Sequence, residues 1–250
     1  MLLRRLSAEL VFVADACDAV AHGAHIYITT PLGAGDGQVR MLTSDGSVLR
    51  SWGSYGTKRG EFTFACGIAV LRNTVFVSDP RNHRIQAFQL DGTFKLEWGC
   101  FGADPGQFSY PVGLCVSESL LYVADYGNAR VQAFTTAGAP ALCFQLPKTQ
   151  PLRLRVTREE LFVLQKTPWA DAGTIDVLAR DGTFHRSIVV ASPLLAQFVA
   201  GSFLHSLERR KILDRRPDGT CVKVTDAELD GCLCLLPSKE KERQGSRTKE

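Results

Sequence analysis

The chain has 250 residues, 45% of them hydrophobic, so it is long enough to bury the core of one domain. It has 29 basic and 26 acidic residues, and the resulting net charge of +3 gives no global argument for nucleic-acid binding. No run of about 18 apolar residues occurs, so no membrane-spanning helix is predicted. Arg4, Arg5 and Glu9 interrupt the apolar N-terminus, which disfavours a secretory leader, and we expect a cytoplasmic protein with reduced cysteines.

The first part of the chain predicts short β-strands. One strand is predicted alone at residues 10–15, and a unit of four strands follows at residues 18–53. Its runs are rich in β-branched and aromatic residues and are separated by turn residues, the pattern of an antiparallel meander. Asp45-Gly46 separates the last two runs, which favours a tight hairpin turn in which both residues have positive φ.

The second and third units, at residues 67–99 and 113–138, are the clearest, since every matched position is offset by 46 residues. A fixed period with four strands per unit is typical of a β-propeller, in which each unit is one blade. The joints ahead of these units contain Gly60-Glu61-Phe62 and Gly106-Gln107-Phe108. We expect their glycines to bend the chain and their phenylalanines to fill the interface between blades.

Less regular copies follow at residues 152–189 and 198–224, and a run at 231–235 could begin another. The sequence therefore predicts an all-β propeller of four-stranded antiparallel blades over residues 10–236, with about five recognisable blades. Three alternatives stay open for closing the ring: five blades, an incomplete sixth blade that includes the lone strand, or a chain that is incomplete. Residues 237–250 are polar and charged and are predicted to be a disordered tail.

The two clearest units share a motif at the end of the second strand and the start of the third. Its residues are Asp79, Asn82, Arg84, Asp125, Asn128 and Arg130. The runs at 75–88 and 122–134 that contain them closely resemble NHL repeats, and Gln38 and Thr174 replace the arginine in the other units. The resemblance implies a propeller, usually of six blades, that recruits protein or RNA.

The acid and the arginine of this motif have a structural explanation. The acid ends one strand close to where the arginine begins the next, so we expect Asp79–Arg84 and Asp125–Arg130 to form ion pairs that fix the loops. A catalytic pair would more often occur once, whereas this pair recurs. We therefore interpret the motif as structural and predict no catalytic residue.

Candidate catalytic chemistry is sparse in this sequence. His22 and His25 lie three residues apart in a predicted turn without an acid or cysteine to complete a metal site. We recognise no phosphate-binding glycine loop and no serine nucleophile elbow. No metal site and no cofactor are predicted. Some propellers similar to NHL proteins are metal-dependent lyases or lactone hydrolases, so an enzyme of that kind remains an alternative.

Loops that join second to third strands lie on the same rim of a propeller as the joints between blades, and we call this rim the top face. Ten basic and seven acidic residues are predicted there, interleaved with aromatic residues. We expect a monomeric, non-enzymatic scaffold that binds an unknown protein partner through this face and no membrane. Single-stranded RNA is the alternative ligand. The candidate binding residues are Lys58, Arg59, Arg81, His83, Lys166 and Trp169.

Overall fold

The computed structural model describes residues 16–30, 38–146, 150–166, 173–190, 212–215 and 221–223. These residues form four antiparallel sheets whose strands follow one another in chain order, as in propeller blades. The first strands of successive sheets contact one another and line the centre. No helix within the described residues has the length and hydropathy needed to cross a membrane.

Each blade begins with its innermost strand. Blade 1 consists of β1 (Asp18–His22), β2 (His25–Thr29), β3 (Val39–Leu42) and β4 (Val48–Trp52). Blade 2 consists of β5 (Ile68–Leu71), β6 (Thr74–Asp79), β7 (Arg84–Gln89) and β8 (Phe94–Trp98). Blade 3 consists of β9 (Pro111–Ser117), β10 (Leu120–Asp125), β11 (Arg130–Thr135) and β12 (Pro140–Gln145). Blade 4 consists of β13 (Gln150–Val156), β14 (Glu160–Lys166), β15 (Gly173–Ala179), β16 (Phe184–Val190), β17 (Ile212–Arg215) and β18 (Cys221–Lys223).

The prediction of about five blades is wrong for the described residues, which form four. Strands β17 and β18 come from the predicted fifth unit, but β17 pairs antiparallel with β16, from Val190 opposite Ile212 to Ser187 opposite Arg215. The outer edge of β16 has free backbone donors and acceptors, and the later strands satisfy them by extending blade 4. The runs at 10–15 and 231–235 and the tail lie outside the described residues.

The Asp-Gly pairs lie in the hairpin turns, but the turns differ in type from the prediction of positive φ at both residues. Gly46 has a φ of 88°, whereas Asp45 is not among the residues with positive φ. The Gly46 amide donates to the carbonyl oxygen of Thr43 at 3.0 Å, and the β3–β4 register slips by one residue beside the turn. This is a turn closed by a glycine bulge, which needs positive φ at one residue only.

The hydrophobic core lies between blades. Phe62 packs with residues of blades 1 and 2, and Phe108 packs with residues of blades 2 and 3. Both rings are fully buried, which confirms that they fill these interfaces. A Cβ on Gly67 would lie 2.2 Å from the carbonyl oxygen of Val112, so the innermost strands of blades 2 and 3 pack backbone to backbone.

Candidate functional site

Arg84 fixes the joint ahead of blade 2 to the top of that blade. Its guanidinium forms a 3.3 Å ion pair with Asp79 and is 8% exposed as a residue. It also donates to the carbonyl oxygens of Thr57, Lys58 and Glu61 at 2.8, 3.0 and 2.7 Å. One buried cation thus bonds three carbonyl groups of the joint and ties them to the blade.

Two amide side chains complete this network. Asn82 donates to Asp79 at 2.7 Å and to the carbonyl oxygen of Gly56 at 3.1 Å. Gln86 accepts from the Gly60 amide at 2.8 Å and donates to the carbonyl oxygen of Glu61 at 2.7 Å. Burial raises the pKa of Asp79, although Asn82, a backbone amide and Arg84 all favour its charged form.

Blade 3 repeats the network 46 residues later. Arg130 pairs with Asp125 at 2.7 Å, and Asn128 donates to the same carboxylate at 2.9 Å. Gln132 donates to the carbonyl oxygen of Gln107 at 2.8 Å, which matches the bond from Gln86 to Glu61 in blade 2. Both predicted ion pairs are therefore formed, and each holds its loop against the preceding joint.

Three aromatic side chains are exposed on the top face. Tyr55, Phe101 and Tyr110 are 77%, 70% and 49% exposed. The rings of Phe101 and Tyr110 each contact His83 edge-on with centroids 5.0 Å apart, and the Tyr110 amide donates to His83 Nδ1 at 3.2 Å. His83 and Tyr110 both have a φ of 54°. At His83 this left-handed conformation belongs to the repeat, because Ala129 has a φ of 51° at the matching place of blade 3.

A shallow groove of about 380 Å³ crosses the top of blade 2, and of these three rings Phe101 lines it. It runs from Thr57 in one joint to Phe101 in the next and passes Asn82 and Glu97. We call the groove together with Tyr55, His83 and Tyr110 the top groove.

The predicted cations fall into two classes. Arg84 and Arg130 are buried in the networks, so they do not contribute to a binding surface. Lys58, Arg59 and Arg81 are exposed beside the top groove. Arg59 pairs with Glu97 at 3.4 Å, and the Arg81 guanidinium lies 5.4 Å from the ring centre of Phe64. The other two candidates, the Lys166 side chain and Trp169, lie outside the described residues.

A second polar cluster lies where the innermost strands begin, and no motif in the sequence predicted it. The Sγ atoms of Cys17 and Cys66 are 3.3 Å apart. Arg153 of β13 reaches them from blade 4, with guanidinium nitrogens 3.9 and 4.0 Å from the two sulfurs and 2.9 Å from the carbonyl oxygen of Cys17. Nearby Asp18 is half-buried, and its partial loss of solvent raises the pKa of its carboxyl, against the opposing charge of Arg153.

The repeat contains a signal for this pair. The amides of Cys17 and Cys66 donate to Thr29 and Ser78, which hold the same place in β2 and β6, and 29 − 17 and 78 − 66 are both 12. Comparing blades 1 and 2 by this spacing places the cysteines at equivalent positions. The two cysteines are 49 residues apart, so the 46-residue offset that relates Asp45 to Asp91 does not reveal the match.

Potential metal ligands do not converge in the part of the chain that the structure describes. His22 lies opposite His25 across the β1–β2 turn. No group of three or more histidine, cysteine, aspartate or glutamate side chains is arranged to hold an ion among these residues. The metal-dependent alternative stays a prediction.

Comparison with known protein families finds one match, within blade 3. A profile of the NHL repeat matches residues 108–134, which include the Phe108 joint and the network of blade 3. The chain is thus a β-propeller with an NHL-like repeat at residues 108–134. A search of curated proteins found no match.

Solved structures that resemble the propeller have diverse functions. Hydrazine synthase of Kuenenia stuttgartiensis is 12% identical, with a TM-score of 0.56 over 74% of this chain and 52% of that one. A streptogramin B lyase is 16% identical, with a TM-score of 0.55 over 87% and 72%. A structure of a nidogen/laminin complex is 14% identical, with a TM-score of 0.52 over 74% and 79%. The propeller spans about half of the hydrazine synthase chain, and at these identities the likeness shows the fold alone.

Proposed function

We propose that this NHL-repeat propeller is a non-enzymatic scaffold that binds a protein partner in the top groove. The observation that carries the proposal is the group of exposed rings, Tyr55, Phe101 and Tyr110, on joints that buried networks hold in place. The partner would present an extended segment with apolar and acidic side chains. The propeller would act as a monomer without a cofactor.

The composition of the top groove suits protein recognition. Tyrosine, phenylalanine and arginine are enriched at the centres of protein interfaces and supply much of the binding energy there. Ordering costs would be small, because Arg84 and Arg130 already fix the joints that carry Tyr55 and Phe101. A rigid aromatic surface of this kind favours binding over a mobile loop of the same composition.

The charges around the groove favour an acidic partner. Lys58 and Arg81 have no carboxylate within 4.0 Å among the described residues. The nearby carboxylates are already engaged, since Glu61 accepts from the Lys58 amide at 3.0 Å and Glu97 pairs with Arg84 at 2.8 Å. Carboxylates on a partner would therefore meet uncompensated positive charge.

Selection of random peptides displayed on phage tests this proposal. We expect selected peptides to combine aromatic or aliphatic residues with Asp or Glu, and to bind the purified chain with micromolar affinity. Phe101→Ser and Tyr110→Ser should each weaken binding by about tenfold or more. Phe184→Ser is the matched control, because Phe184 is also exposed but lies on β16 of blade 4. Peptides that bind Phe101→Ser and Tyr110→Ser as tightly as the unaltered chain would contradict the proposal.

Single-stranded RNA is the second candidate, because exposed cations and aromatic rings lie together on this surface. Binding of an oligouridine to the purified chain distinguishes the RNA candidate from the protein partner. Binding that falls steeply between about 50 and 200 mM salt, and is lost in Lys58→Glu/Arg59→Glu/Lys166→Glu, would favour RNA over the protein partner. Stoichiometric metal in the purified protein would instead favour the lyase or lactonase alternative.

A further inference from the structure

The thiols of Cys17 and Cys66 form a pair that bridges two blades. Each cysteine lies just ahead of an innermost strand, and their amides bond equivalent carbonyl groups, those of Thr29 and Ser78. Their sulfurs are 3.3 Å apart, close enough that side-chain rotation with a small backbone shift would reach the roughly 2 Å of a disulfide. Cys17 is half-buried and Cys66 is buried, so a small reagent meets Cys17 first.

The surroundings of the pair favour a thiolate. The Arg153 guanidinium lies within 4.0 Å of both sulfurs, and its positive charge stabilises an anion there and disfavours a bound cation. The hydrogen bond from the Cys66 thiol and the charge of Arg153 lower the pKa of Cys17 to about 7, against burial and the charge of Asp18. The same hydrogen bond and deeper burial raise the pKa of Cys66.

We propose that Cys17 and Cys66 are a peroxide-reactive thiol pair, in which Cys17 reacts with a hydroperoxide and Cys66 then closes a disulfide between blades 1 and 2. The proposal does not depend on the partner of the top groove. Arg153 has a positioning role, because it holds the charge and the Cys17 backbone in place without itself reacting.

The chemistry balances with a hydroperoxide as the oxidant. The Cys17 thiol first releases its proton to water. The thiolate attacks the terminal oxygen of the hydroperoxide and the O–O bond breaks. The leaving alkoxide or hydroxide takes a proton back from water and becomes an alcohol or water. Cys17 is then a sulfenic acid. The Cys66 sulfur attacks the Cys17 sulfur, the S–O bond breaks, and water leaves with the proton of the Cys66 thiol. In sum, two thiols and one hydroperoxide give one disulfide, one alcohol or water, and one water.

Peptide mapping after treatment with hydrogen peroxide tests the proposal on the full chain. One equivalent of peroxide added to reduced protein at neutral pH should give a Cys17–Cys66 cross-linked peptide before Cys100, an exposed thiol, reacts. Cys66→Ser should stop the reaction at a sulfenic acid on Cys17, which dimedone traps. Oxidation should also raise the melting temperature by roughly 5 °C, because the disulfide links distant parts of the chain.

The role of Arg153 is tested by the pH dependence of Cys17 alkylation by iodoacetamide. The rate should have its midpoint near pH 7 in the unaltered chain, following the pKa given above. Arg153→Met should move that midpoint up and slow the peroxide reaction about tenfold or more, whereas Arg153→Lys keeps the charge and should retain most of the rate. Arg155→Met is the matched control on the same strand.

Two results would overturn the proposal. One is oxidation of Cys17 by peroxide to higher acids without any Cys17–Cys66 peptide, since the geometry would then not permit closure. The other is an alkylation midpoint that Arg153→Met and Arg155→Met leave equally unchanged, since the charge would then not activate Cys17.

Discussion

Blades 2 and 3 share one polar network, and blade 4 forms the same four-stranded core without it. In blade 3, Arg130 opposes Asp125 across the strands, whereas in blade 4 Thr174 opposes Gln165 at the matching place. The acid of blade 4 is instead Asp176, which accepts from Gln165 and Ser187 at 2.5 Å each.

The comparison separates two tasks that the repeat performs. Blade 4 shows that alternating apolar residues suffice to build a sheet, since Leu161, Val163 and Leu178 are buried as their counterparts are. The network adds the attachment of a joint, because in blades 2 and 3 its members donate to carbonyl groups of the preceding joint. Sheet formation and loop positioning therefore depend on different residues.

Removing the arginine of blade 3 should have the largest effect. Arg130→Ala leaves the Asp125 carboxylate buried without its ion pair and removes one hydrogen bond from each of the carbonyl oxygens of Asp104 and Gln107. Breaking a buried pair in this way costs about 3–5 kcal/mol, which urea unfolding would measure. Thr174→Ala at the matching place of blade 4 should cost less than about 0.5 kcal/mol. Equal losses would mean that the network has no special part in stability.

The next largest effect comes from replacing matching polar residues of blades 3 and 4. It distinguishes a contribution to stability from a role in positioning the joint. Gln132→Ala and Asp176→Ala, at matching places of blades 3 and 4, should each cost about 1–3 kcal/mol, since each leaves buried polar atoms without partners. Only Gln132→Ala should speed hydrogen exchange at the Gly106 amide, which donates to Gln132 Oε1 at 3.0 Å. Unchanged exchange at Gly106 in Gln132→Ala would show that the joint is held by other contacts.

The sequence predicted the two ion pairs and the buried phenylalanines of the joints, because both are local and periodic. Asp79 and Arg84 lie five residues apart, and their counterparts recur 46 residues later, so the pairing could be inferred without a structure. The blade count was wrong because the strand at 212–215 has the same pattern whether it begins a blade or extends β16. The Cys17–Arg153 contact could not be predicted, because it joins residues 136 positions apart through closure of the sheets around a centre.

The residues at the innermost strands differ between blades. This difference predicts the smallest effect, a pH dependence of the free energy of unfolding. Blades 1 and 2 begin with Cys17 and Cys66, whereas β13 of blade 4 contributes Arg153. With the chain kept reduced, a folded pKa of about 7 for Cys17 lies below the ordinary thiol value of about 8.5. The unfolded chain therefore binds more protons between these values, so stability rises with pH through this window and is lost as pH falls through 7.

Measured as the difference between the unaltered chain and Cys17→Ser, the gain in unfolding free energy between pH 6 and 9 should be about 2 kcal/mol. Subtracting the variant removes the contributions of other titrating groups, such as Asp18. In the unaltered chain itself, without the subtraction, the slope of stability against pH should reverse above about pH 8.5. There the bond to Cys17 and burial keep Cys66 protonated in the folded chain, whereas the unfolded chain ionises it. Arg153→Met should flatten the rise, since the folded thiolate then loses the charge that Arg153 provides and only blade 4 has been altered. A rise that persists in Arg153→Met would mean that the hydrogen bond from Cys66 alone holds the thiolate, and that the blade 4 strand has no part in it.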